Sequence, residues 1–149
     1  MKDGNKVSDI NEELRGCLYF TSNRLSRLIG KMANEEFRIT GLSPTYGFLI
    51  SIVNKREGIT QKEIGKTLHM TPSTITRFID KLENKGFIKR VTEGKNSLIY
   101  LTDEGKSLQV EIDKAWNNLH KRYSEIIGED EEKIVEIINR VTSKIEENY

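Results

Sequence analysis

The apolar positions of this chain fall mostly at helical spacing. Leu14, Leu18, Thr21, Leu25, Leu28 and Met32 follow one another at alternating steps of four and three, which predicts one amphipathic helix over about 9–36, with Ile10 and Cys17 beside its seam. Gly41 breaks that run, and Ser43 followed by Pro44 reads as a cap with proline at the first helical position, opening a helix to about Asn54. Thr60, Gln61, Lys62 and Glu63 have the spacing of a capping box, so a short helix carrying Ile64 and Leu68 runs from there to about His69. Thr71 and Pro72 start the next helix, whose buried side is Ile75, Phe78, Ile79 and Leu82 and whose end is Gly86. Two short helices joined by a tight turn form a helix-turn-helix pattern. The period then changes, and the β-rich runs 87–92 and 97–101 predict a hairpin with an exposed basic tip at 93–96. Thr102 caps a further helix, with Asp103 and Glu104 in its first turn and Leu108, Ile112, Ala115, Leu119, Tyr123 and Ile126 along one face. After Gly128 and the acidic turn Glu129, Asp130, Glu131 and Glu132, a last helix carries Ile134, Ile138, Val141 and Ile145.

Three of these helices carry apolar seams that a lobe as small as the central one cannot cover. A second copy of the chain is the simplest partner, with Leu14, Leu18, Leu25, Ile112, Leu119, Ile134, Ile138, Val141 and Ile145 as candidate dimerisation residues; burial of the seams within one chain is the alternative.

Composition narrows the function. Among 149 residues, 36% hydrophobic and 32% charged, no run of 18 or more apolar residues offers a membrane span. The polar start Met1 to Lys6 does not resemble a secretory signal, so the chain is expected in the cytoplasm. One cysteine excludes an internal disulfide, and with two histidines, His69 and His120, there are too few ligands for a zinc cage; no metal and no cofactor are expected. Ile64, Gly65, Lys66 and Thr67 imitate the tail of a phosphate-binding loop, but position 60 is threonine where that loop needs glycine. No nucleophile, base and orienting group stand together, so the chain is not expected to be an enzyme.

The net charge of +1 hides a segregation. Residues 55–95 hold 10 Lys/Arg against 5 Asp/Glu, whereas residues 96–149 hold 7 against 12. A basic centre suits a surface that meets a polyanion, although a solvated lysine-rich face gives the same count. With Ile75, Phe78, Ile79 and Leu82 turned inward, Thr71, Ser73, Thr74, Thr76, Arg77 and Lys81 remain for a duplex. Arg77 is the one forked donor on this face and suits a bidentate contact to guanine; a phosphate contact, or an ion pair to Asp80 or Glu83, is the alternative. Thr60, Gln61 and Lys62 begin a helix where free amides favour a phosphate, and Lys89, Arg90 and Lys95 lie on or beside the hairpin.

The stretch ITQKEIGKTLHMTPSTITRFIDKLENKGFIKR, the hairpin behind it and LTDEGK at 101–106 resemble the MarR family of winged helix-turn-helix regulators. The resemblance implies a mainly α (α+β) fold: an N-terminal dimerisation helix over 1–36, a winged DNA-binding lobe with a two-stranded wing over 37–101, and C-terminal dimerisation helices over 102–149. It also implies a homodimeric repressor on a pseudo-palindromic operator, released by a small aromatic molecule or an oxidant. A helical protein-interaction module with incidental DNA contact is the alternative. The family's wing carries an acidic residue and an arginine two apart; here Glu93 and Lys95 hold those positions, which implies a more purely electrostatic wing contact and leaves any ion pair from Asp80 to the wing without that arginine. Cys17 stands in a setting similar to the peroxide-sensing branch of the family, but only Tyr46 of that branch's tyrosines has a counterpart, out of register; a buried structural thiol is the competing reading. Trp116, Tyr123, Tyr19, Tyr46 and Phe48 are either core or walls of an aromatic effector cavity.

Overall fold

The computed structural model describes the backbone of residues 3–149 and side chains from Asp9 onward. The polar stretch 1–6 weighed above lies outside the described side chains. Among the described residues seven helices and three strands follow one another: α1 (Asp3–Arg15), α2 (Leu18–Phe37), a 3-10 turn (Arg38–Thr40), α3 (Pro44–Lys55), β1 (Ile59–Thr60), α4 (Gln61–Thr67), α5 (Pro72–Asn84), β2 (Ile88–Glu93), β3 (Asn96–Leu101), α6 (Asp103–Ile127) and α7 (Asp130–Glu146). They group into two compact units, residues 1–35 and 36–149.

The single long helix expected over 9–36 is two helices. Gly16 is a poor helix former; its amide and that of Cys17 are the last to donate back into α1, to Glu12 and Leu14, and the carbonyl of Cys17 then accepts the amide of Thr21 to begin α2. The seam continues in sequence across this break, which is why spacing alone missed it. Cys17 sits at the break and is exposed, which corrects the reading as a buried thiol.

In residues 36–149 the caps do what their sequence demands. Thr60 and Glu63 complete the capping box of α4, Thr71 caps α5 through the amide of Thr74, and Thr102 caps α6 through the amide of Gly105. Ser43 does stand before Pro44 at the start of α3, but its hydroxyl makes no capping bond. Between α4 and α5 the backbone turns at His69, held at φ 52°, a left-handed conformation rare for a side-chain-bearing residue. Gly105 closes the junction between hairpin and α6: a Cβ there would lie 2.1 Å from the carbonyl oxygen of Phe87.

The hairpin forms as expected, its two-residue turn at Gly94 and Lys95 opened by Gly94 at φ 60°. One strand was missed. The two-residue β1 pairs antiparallel with β3, Ile59 opposite Ile99, so the sheet has the order β1-β3-β2. Two residues show no period, and this strand is visible only through its partner.

The core of this unit joins Phe37, Leu49, Ile50, Val53, Ile64, Ile75, Ile79, Leu82, Ile88, Ile99 and Ile112. Ile112 is 0% and Leu119 2% exposed within one chain, which removes both from the candidate dimerisation set: α6 turns that face onto its own chain. Ile134 and Val141 are half-buried and Ile138 and Ile145 exposed, and α7 buries no residue at all. Leu14, Leu18 and Leu25 of α1 and α2 are exposed.

Candidate nucleic-acid interface

Helix α5 places its polar side outward because its apolar residues recur at three and four residues on the side facing the core. Ser73, Arg77 and Lys81, four residues apart, form one exposed stripe along it. Arg77 has no ion-pair partner among the described residues, because both acids near it are taken elsewhere: Asp80 binds the guanidinium of Arg90, and Glu83 accepts the Arg90 amide at 3.2 Å. The ion-pair alternative for Arg77 is thereby set aside, and its fork is free for a ligand.

The same bonds correct the reading of Arg90. It is half-buried on β2 and spends its guanidinium on α5, so it fastens the wing to that helix and is not a free DNA contact. The link from Asp80 to the wing, left without an arginine by Lys95, is made by this residue. Its period-two position explains the placement: Ile88 and Arg90 share the inward face of β2 while Lys89 points to solvent.

Gln61 donates to Thr76 at 2.7 Å, and the Thr76 hydroxyl donates to the Pro72 carbonyl at 2.9 Å. These two expected DNA contacts therefore fasten α4 to α5. Thr71 and Thr74 share a hydroxyl contact of 2.9 Å within the α5 cap. The carboxylate of Glu63 accepts from the Thr60 amide at 3.0 Å and from Arg56 at 3.0 Å; the backbone bond from Thr60 first, then its hydroxyl, holds the Glu63 carboxyl below its ordinary range. Lys62, Ser73, Arg77, Lys81, Lys89 and Lys95 remain exposed.

A groove of about 910 Å³ lies between the start of the helix pair and the wing tip, lined by Thr60, Lys62, Lys66, Thr71 and Lys95 among others; Glu146 of α7 is the one carboxylate on its wall. Lys66, weighed in the sequence only within the imitation of a phosphate-binding loop, is not among the DNA contacts expected there. The groove brings the amino end of α4, the turn and the wing tip to one surface, the juxtaposition that a duplex requires of a winged helix-turn-helix. Phosphates suit its lysines and base edges suit the forked donor on α5.

A second cleft of about 420 Å³ opens between α3 and α6. Trp116 stacks on Phe48 with ring centroids 4.2 Å apart and meets Phe37 edge-on at 4.6 Å. Gln109 donates to Ser51 at 3.0 Å and Asp113 at 2.8 Å, which leaves its side-chain carbonyl oxygen buried without a partner. Of the other aromatic candidates, Tyr46 packs on Phe78, Tyr19 is exposed on α2, and Tyr123 is half-buried, its phenol pushed up by burial and by Glu131. His120 pairs with Glu131 at 3.3 Å at the α6–α7 corner. No helix among the described residues is long and apolar enough to cross a membrane.

Comparison with known proteins agrees with this geometry. The MarR family model matches residues 42–96, from α3 through the start of β3. The HTH-type transcriptional regulator YwoH of Bacillus subtilis is 33% identical over 92 residues, 60% of this chain and 67% of that one. A MarR-family transcriptional regulator from Rhodococcus sp. RHA1 superposes with a TM-score of 0.67 at 26% identity, over 86% of this chain and 91% of that one. CouR from Rhodococcus jostii RHA1, bound to p-coumaroyl-CoA, superposes with a TM-score of 0.71 at 25% identity, over 89% of this chain and 93% of that one. An exposed reading helix, a wing braced against it and these likenesses lead to one assignment: the chain belongs to the MarR family of winged helix-turn-helix transcriptional regulators, DNA-binding proteins that are not enzymes.

Proposed function

We propose that the chain acts in the cytoplasm as a homodimeric repressor that reads a pseudo-palindromic operator and leaves it when a small aromatic effector binds. The observation that carries this reading is the fork of Arg77, unpaired among the described residues, on the exposed stripe of α5; a lysine-lined groove reaching the wing tip supports it. Arg77 reads a guanine in the major groove, Ser73 and Thr74 approach the backbone closely, and Lys62, Lys66, Lys89 and Lys95 neutralise phosphates. The aliphatic side chains of α7, none of them buried, supply apolar surface for a second copy, and so, in the other unit, do the exposed leucines of α1 and α2.

The cleft of Phe48 and Trp116 supports the effector step. Its stacked rings suit a flat aromatic body. CouR, of similar fold, carries p-coumaroyl-CoA. An effector acts by favouring a dimer whose reading helices are wrongly spaced, which requires different affinities for the two states.

Selection of bound fragments from genomic DNA tests the reading. Enriched fragments are expected to share an inverted repeat whose half-sites lie about one helical turn apart, and binding is expected to weaken steeply with salt. A reporter behind such a fragment rises when the chain is absent if it represses. No enrichment over random duplex refutes the reading. Trp116 is the only tryptophan, so quenching of its emission by aromatic acids or their thioesters, together with release of DNA, tests the effector step.

A further inference from the structure

Two cations lie one turn apart on the exposed stripe of α5, Arg77 and Lys81, and like charges at that spacing repel. No carboxylate among the described residues pairs with either, since Asp80 and Glu83 are both engaged by Arg90. The charge of Lys81 is met in another way. Its ammonium lies over the ring of Tyr46, 5.0 Å from the centroid. Tyr46, in the first turn of α3, is itself held by Phe78 on the flank of α5, the ring centroids 4.5 Å apart. The cation is thus held toward α3, over a ring that packs on Phe78.

We infer that Tyr46 is a positioning residue for DNA binding: its ring fixes the ammonium of Lys81 for a backbone phosphate and separates it from Arg77, which keeps the forked donor free for a base. The inference rests on the DNA-reading role of α5 proposed above. A lysine on a flexible four-carbon stem loses side-chain freedom when it grips a phosphate, and a ring that already holds it reduces that loss. The phenol hydroxyl has no part in this, because the attraction is to the face of the ring.

The test uses the full chain and a labelled duplex recovered by the genomic selection, with a random duplex of equal length as control. Tyr46→Leu, which keeps apolar bulk and removes the ring face, is expected to weaken binding of the selected duplex by about 2- to 5-fold per subunit. Tyr46→Phe is expected to bind like the native chain. Lys81→Ala is expected to lower the salt slope by about 1 per subunit, and to do so by less in the Tyr46→Leu background. Thermal unfolding of each variant separates lost folding from lost positioning. Strictly additive effects of Tyr46→Leu and Lys81→Ala overturn the inference, as does a Tyr46→Phe variant as weak as Tyr46→Leu. A native chain that binds neither duplex overturns the DNA-reading role instead, so the two failures are distinguishable.

Discussion

At the scale of single residues, the division between reading and gripping DNA rests on which side chains are already spent. Arg77 is unpaired, so Arg77→Ala is expected to cost about 1–3 kcal/mol of operator binding and to relax preference at one base position per half-site, measured by binding to a panel of single-base variants. Lys95 holds no fork, and Lys95→Ala is expected to lower the salt slope by about 1 per subunit with the base preference unchanged. The exposed stripe of α5 was legible in the sequence because its period is set by the buried Ile75, Ile79 and Leu82. The bonds of Gln61 to Thr76 and of Arg90 to Asp80 were not, since each joins residues ten or more apart that only the folded chain brings together. Glu63 gives a pH prediction. Its carboxyl is held below its ordinary value by the Thr60 amide, so it contributes stability above its unfolded pKa, and that contribution is lost as pH falls through the lower folded value. The stability difference between the native chain and Glu63→Gln, followed by urea unfolding, is therefore expected to shrink on acidification below the ordinary glutamate range.

At the scale of elements, the wing is tied to the reading helix through Arg90. Arg90 ties β2 to α5 through Asp80 and, by its amide, through Glu83. Removing either partner of the ion pair takes away one of the ties between the hairpin and the reading helix, leaving the Arg90 amide on Glu83 and the buried Ile88 and Ile99 in place. Asp80→Ala and Arg90→Ala are each expected to cost about 1 kcal/mol of stability and to weaken DNA binding, with the double variant no worse than the poorer single one. A double variant that is additive in urea unfolding and in DNA affinity would contradict a shared joint. Most elements were legible because their ends are written in short-range chemistry: threonine at Thr60, Thr71 and Thr102, proline at Pro44 and Pro72, glycine at Gly86 and Gly128. The exceptions have a common cause. The break at Gly16 keeps the heptad-like seam intact across it, and β1 is too short for any period, so neither changes the pattern from which helices and strands are read. Inward-facing Ile112 and Leu119 misled in a related way: periodicity identifies an apolar face without saying which neighbour covers it.

At the scale of the whole molecule, the question is what covers α7. This helix buries none of its residues, yet Val135, Ile137, Ile138 and Ile145 are each about half exposed, a density of apolar surface that isolated chains rarely leave in water. Ile138→Asp tests the proposed assembly cleanly, because Ile138 lies outside the core and the charge should not unfold the subunit. The variant is expected to keep the native urea midpoint of the monomeric lobe and its helical content. Its dimer, followed by sedimentation at micromolar concentration, is expected to dissociate by about 100-fold or more, since an unpaired charge in an apolar interface costs several kcal/mol. Two half-sites engaged by one rigid dimer gain about 10²–10⁴ over separate subunits, and this gain is expected to vanish with the dimer while weak, salt-sensitive binding to random duplex persists. A native chain that sediments as a monomer, or an Ile138→Asp variant that remains paired, would place the dimer surface elsewhere and detach operator spacing from α7.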